Sequence, residues 1–150
     1  PILMKMSDHF DLEEFTVSQT AIRNNIDNMP TAEALFYIQQ LCTKVLEPLV
    51  HAGLKFSINS GYRSPELNKK IGGAKNSQHC TGQAADLHPI GMTVEELYQN
   101  ISRLNVPFDQ LIQEFNSWVH VSYSVKPRSQ KLRATKDNKK TIYTPDNNTY

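Results

Sequence analysis

Leu35, Ile38, Cys42, Val45, Leu46 and Leu49 recur three and four residues apart along the chain. That spacing puts one apolar stripe on a helix from about Thr31 to Ala52, with Gly53 as a stop. Pro48 falls in its last turn, where a missing N–H and a crowding ring predict a kink. Val94, Leu97, Tyr98, Ile101 and Leu104 repeat the pattern behind Thr93 and Glu96, which read as a capping box. Residues 11–25 open with Asp11-Leu-Glu-Glu14, a cap followed by acidic residues that suit a helix N-terminus. Ser64, Pro65 and Glu66 mark the start of a short helix.

Other stretches alternate instead. Lys55–Asn59 and Gln83–Leu87 read as strands, and residues 71–78 have loop composition. Phe108–Phe115 and Trp118–Tyr123 read as a β-hairpin joined by Asn116-Ser117. Helices and strands mix without a βαβ rhythm, which predicts an α+β fold: one domain with a small antiparallel sheet packed by helices.

Composition narrows the class of partner. The 150 residues fit one domain, with 39% hydrophobic and 21% charged residues. Sixteen Lys and Arg nearly balance fifteen Asp and Glu, so the net charge of +1 gives no reason to expect nucleic acid or a membrane surface. No apolar run approaches the roughly 20 residues that cross a bilayer. The leading PILMKMSDHF has no long apolar stretch and does not read as a secretory signal. Two cysteines are too few for a disulfide framework. Cys42 lies on the apolar helix face and is expected to be a buried thiol. Cys80 adjoins His79 and is not expected to serve as a metal ligand.

Charge does gather at one end. Lys126, Arg128, Lys131, Arg133, Lys136, Lys139 and Lys140 face a single acid, Asp137, between positions 126 and 140. The expectation is one folded domain over 1–125 and a solvated basic extension over 126–150, with one added strand at Lys140–Tyr143. The alternative is a contact with an anionic polymer, sensitive to salt.

The candidate chemistry lies in three places. His79 ends a Gly-containing loop, Gly82 allows a tight turn, and Asp86 follows in a strand whose small neighbours leave it room. His120 shares a strand face with Trp118 and Ser122, opposite Val119, Val121 and Tyr123. Two histidines and one carboxylate can bind zinc and leave a fourth position open. Periodicity does not bring these residues together in space.

Ser77-Gln-His79-Cys-Thr-Gly82-Gln-Ala84-Ala-Asp86 resembles the SxHxxGxAxD signature of the M15 zinc D-Ala-D-Ala peptidases, which share a fold with the hedgehog signalling domain. Ser60-Gly-Tyr-Arg63-Ser-Pro65 and Trp118-Val-His120-Val-Ser122 also look like that family, in the same order. The resemblance spans roughly residues 10 to 125. It implies one zinc ion per chain, held by His79, Asp86 and His120. It also implies that Arg63 reaches the substrate, where a planar guanidinium suits a carboxylate or the scissile carbonyl. Ser77 matches a serine close to substrate, though a loop-stabilising hydroxyl fits equally.

Many members place an acid three residues before the last zinc histidine; here that position is Ser117. Glu114, six residues before His120, stands at the spacing of the corresponding glutamate in hedgehog-type domains, which implies that it is the base and proton carrier, with Asp109 as a fallback and His88 expected behind a ligand or at the surface. The implied substrates are peptidoglycan stem peptides, cut as a D-Ala-D-Ala carboxypeptidase by a monomer. An L-Ala–D-Glu endopeptidase and a zinc-bearing binding module without turnover are the alternatives. Substrate outside the cytoplasmic membrane and no visible export signal suit release by lysis or carriage on a phage particle, and a missing native N-terminus explains the combination equally well.

Overall fold

In the computed structural model, which describes residues 4–150, the chain opens with a hairpin that its periodicity does not predict. Strand β1 (Lys5–Ser7) pairs antiparallel with β2 (Phe10–Asp11). It buries Met6 and Phe10, and the Phe10 ring stacks on Phe56 at 5.9 Å between centroids. The helix expected over 11–25 is two short ones, α1 (Glu13–Thr16) and α2 (Gln19–Arg23). Asp11 belongs to β2 and caps nothing; its N–H donates to Glu14 Oε2 at 2.8 Å. Ser18 caps α2 by accepting from the Ala21 N–H at 3.1 Å.

The long apolar stripe forms α3 (Ala32–Leu41), a π-helical segment (Cys42–Leu46) and α4 (Glu47–His51). The wider turn ends just before Pro48, at the start of α4. Proline offers no N–H to the carbonyl four residues back, and placing it in the first turn of α4 leaves no interior bond broken. Leu41, Cys42, Val45, Leu46 and Leu49 are fully buried along the stripe, and burial keeps the Cys42 thiol protonated.

Strand β3 (Phe56–Ser60) leads to α5 (Pro65–Lys70), capped by Ser64, and then to a 3-10 turn (Gln78–Thr81). After β4 (Ala84–Pro89) comes α6 (Val94–Arg103), where Thr93 and Glu96 make the expected capping box. Strands β5 (Gln110–Glu114), β6 (Trp118–Ser122), β7 (Gln130–Asp137) and β8 (Lys140–Pro145) follow. The turn between β5 and β6 sits one residue earlier than expected. Phe115 and Asn116 adopt φ of 58° and 55°, and the Ser117 N–H donates to the Glu114 carbonyl at 2.9 Å.

Six strands join in the order β3-β4-β6-β5-β7-β8, antiparallel except for β5 beside β7. The fold is α+β, as the mixed periodicity predicts. Side chains alternate across this sheet. Ala85, Leu87, Leu111, Val119 and Val121 pack into the main core with α3, α4 and α6. Asp86, His120, Ile112 and Leu132 align on the opposite, open face.

The basic extension holds two strands where the sequence suggests one, because its alternation is carried by few apolar residues. Leu132 and Ala134 pack with Ile112 on the open face. Arg133 points the other way and pairs bidentately with Glu95 at 2.7 and 2.8 Å. Asp146 then anchors the end of the chain: the Tyr98 and Tyr150 hydroxyls donate to its Oδ2 at 2.8 and 2.7 Å. No helix among the described residues is long and apolar enough to cross a membrane.

Candidate metal centre

Asp86 and His120 are cross-strand partners in the antiparallel pair β4–β6, so their side chains rise from the same face. His120 Nδ1 lies 3.1 Å from Asp86 Oδ1. His79 enters from the 3-10 turn before β4. Ser77 starts that turn by accepting from the His79 N–H at 3.2 Å, and Gly82 ends it at φ +78°. A side chain at Gly82 would collide with the Ala34 carbonyl oxygen, so both the backbone conformation and the space require glycine.

The turn aims His79 Nε2 at Asp86 Oδ1, 3.3 Å away, with the two imidazole rings 5.2 Å apart. One ligand atom from each of His79, Asp86 and His120 lies within 4.8 Å of the others. Among the described residues this is the one His, Cys and carboxylate group so arranged. Cys80 and His88, weighed from the sequence, stay outside it, and His88 is exposed.

The chemistry of these donors fits a cation. All three residues are buried. His79 Nδ1 donates to the Gly61 carbonyl oxygen at 2.7 Å, which leaves the Nε2 lone pair facing the group. Burial pushes the His79 pKa down and so favours the neutral, ligating form. Burial alone would raise the Asp86 carboxyl, but the hydrogen bond from His120 and the adjacent imidazole of His79 hold it well below the ordinary carboxylate range. At His120 burial is outweighed by Asp86 and Glu114, which raise its pKa. Two imidazole nitrogens and one carboxylate oxygen are a set that suits zinc with a position open.

Arg63 and Glu114 flank the group on opposite sides. Arg63 Nη2 stands 3.9 Å from Asp86 Oδ2, while Nη1 donates to Asn68 Oδ1 at 2.9 Å and Nε to Ser60 Oγ at 3.3 Å. Asn68 is itself buried and donates to the Ala74 carbonyl, so it fixes the guanidinium to the loop. Glu114 Oε1 is 3.6 Å from His120 Nδ1. Burial raises the Glu114 pKa against the pull of His120.

The fallback carboxylate Asp109 is engaged elsewhere. Arg128 grips it with its backbone N–H and Nε, both at 2.9 Å, and Nη2 at 2.7 Å, and Gln78 Nε2 adds a fourth bond at 2.8 Å. Arg128 holds its pKa down to about 2, so Asp109 is a tie between the His79 turn and the chain after β6. Ser77 both caps the His79 turn and lines an open groove of about 600 Å³ that also touches Ile112, Glu114, His120 and Tyr143. The sequence reading missed Gly61, Asn68 and Gln78. Only Gly61 carried a signal, as the glycine inside the Ser60–Arg63 motif.

A family model described as Peptidase M15 matches residues 8–122. The chain belongs to the peptidase M15 family. As an M15 member it is a metallopeptidase, and its buried His-Asp-His group lies inside the matched residues. A comparison with curated proteins finds no match.

Proposed function

We propose that this M15 domain is a zinc-dependent hydrolase of peptidoglycan stem peptides, acting as a D-Ala-D-Ala carboxypeptidase. The observation that carries the reading is the convergence of His79, Asp86 and His120 on one buried point, with Glu114 3.6 Å from His120. Zinc in that position would acidify a water and polarise the scissile carbonyl.

The protein groups supply the rest. Glu114 accepts the proton of the attacking water and delivers it to the leaving amine; burial, which raises its pKa, makes it a better base for the first of these transfers. Arg63 faces the other side of the group. Held by Asn68 and Ser60, it offers N–H donors to the carbonyl oxygen as negative charge develops there. Ser77 keeps the His79 turn in place and borders the substrate.

The groove supports a second reading within the same chemistry. It runs on beyond His120 and Glu114 and is open, which suits an internal L-Ala–D-Glu bond as well as a terminal residue. Mass spectrometry of muropeptides digested with the zinc-loaded chain separates the cases. Loss of one alanine supports the carboxypeptidase, and cleavage between L-Ala and D-Glu supports the endopeptidase. Intact muropeptides beside a full complement of zinc would replace both with a binding module.

A further inference from the structure

The groove beside the metal group has a far wall that the family match does not reach. The matched residues end at 122, whereas β7 and β8 contribute Leu132, Tyr143 and Pro145 to the groove. Register explains the placement. Glu114 on β5 pairs with Ala134 on β7, and Ala134 pairs with Tyr143 on β8. The three side chains therefore stand in one row on the open face. Two strand spacings, about 10 Å, separate the ends of that row. The residue between them is alanine, too short to fill the gap.

Tyr143 is unlike Tyr98 and Tyr150, whose hydroxyls both bond to Asp146. It is 52% exposed, and among the described residues no side chain hydrogen-bonds to its hydroxyl. Burial of part of the ring, with the charges of Glu114 and Asp86, pushes its pKa up. The phenol, as in any tyrosine, is a hydrogen-bond donor at neutral pH.

The sheet order also orients a substrate. Arg63 follows β3 and lies on one side of the metal group; Glu114 lies on the other, and Tyr143 lies beyond Glu114. A carboxylate that returns its proton to the leaving amine must face that amine. The leaving residue then lies over Ile112 and Leu132, in front of Tyr143.

We propose that Tyr143 is a substrate-binding residue whose hydroxyl donates a hydrogen bond to the carbonyl or carboxylate oxygen of the residue leaving from the scissile bond. The β7–β8 hairpin is the wall that holds it there. This contact rests on the hydrolase reading above, and Tyr143→Phe tests it because the ring and the hairpin packing are kept.

Binding is read first, in the zinc-loaded full chain carrying Glu114→Gln so that nothing is cut. Isothermal titration calorimetry measures that binding directly. Adding Tyr143→Phe should weaken binding of a synthetic stem pentapeptide about tenfold, the loss of one hydrogen bond at 1.4 kcal/mol. A peptide lacking the leaving residue should bind both forms equally, with zinc content and melting temperature unchanged. In the active enzyme the same change should raise KM and leave kcat within about twofold.

Equal binding of the pentapeptide by both forms, or an equal loss with the shortened peptide, overturns the contact while the hydrolase reading stands. A wild-type chain that neither binds nor cuts stem peptides overturns the hydrolase reading, and the contact with it.

Discussion

The imidazole of His79 donates from Nδ1 to the carbonyl oxygen of Gly61 at 2.7 Å, so the loop after β3 sets the direction in which His79 Nε2 points. Gly61 has no room to change. A Cβ there would stand 2.6 Å from Phe15 Cα and 2.8 Å from Phe15 Cβ, both on α1 and neither free to swing away. Gly61→Ala should therefore push the carbonyl off His79. Loss of such an outer partner costs about 10- to 100-fold in metal affinity. Competition with a chromogenic zinc chelator measures it, and unchanged affinity would remove Gly61 from the site.

The three proposed ligands make a direct prediction about metal content. Asp86→Ala and His120→Ala should each purify without zinc, where the wild type should carry about one ion per chain. Zinc at a hundredfold excess over its Kd stabilises the folded chain by about 2.7 kcal/mol. Calorimetry should show that upward shift in the wild type and none in either variant. A shift of the same size in a variant would place the ion elsewhere.

Glu114→Gln keeps the shape of the side chain and removes its basicity. A positioned general base contributes about 10²- to 10⁴-fold, so kcat should fall by that much with zinc still bound. Retained turnover would assign the proton transfer to another group.

Acid should loosen the C-terminal hairpin before the core. Arg133 holds the Glu95 pKa down to about 2, and Arg128 does the same for Asp109. Both folded values lie below the ordinary carboxylate pKa of about 4. Their stabilisation is thus complete above about pH 4 and is lost as pH falls toward 2. Amide exchange within residues 130–145 should accelerate across that window, ahead of exchange in α3 and β4. Simultaneous loosening would mean that these pairs do not govern the hairpin.

Asp146 offers a test at neutral pH. Asp146→Ala would leave the buried Tyr98 hydroxyl without its acceptor, a cost of about 1–3 kcal/mol. Chemical denaturation should report that loss, and a smaller change would mean that water replaces the carboxylate.

Much of this protein is legible in its sequence, for a local reason. The stripe from Leu35 to Leu49, the Thr93–Glu96 capping box and the alternation of Trp118 to Ser122 each depend on neighbours within one element. Local spacing therefore suffices to place α3, α6 and β6. The ordered motifs around Arg63, His79 and His120 likewise single out the metal candidates. What spacing leaves open is distance. Asp86 meets His120 because β4 pairs with β6 in one register, and a slip of one residue would send either side chain into the core.

The rest was settled by contacts far apart in the chain. The hairpin of residues 5–11 exists because Phe10 finds Phe56, and β7 exists because β5 offers it an edge and α6 offers Glu95 to Arg133. A run of seven basic residues reads as a solvated extension until its partners are in place; Asp109, Glu95 and Asp146 neutralise part of it and draw it into the sheet. The sequence by itself determined which residues can bind a metal and which periodicities build helices and strands, because those are properties of side-chain chemistry and short-range spacing. The tertiary structure alone decided that Gly61 orients His79, that Asp109 is engaged by Arg128, and that Tyr143 faces Glu114 across Ala134, because strand pairing and loop packing join residues that the chain keeps far apart.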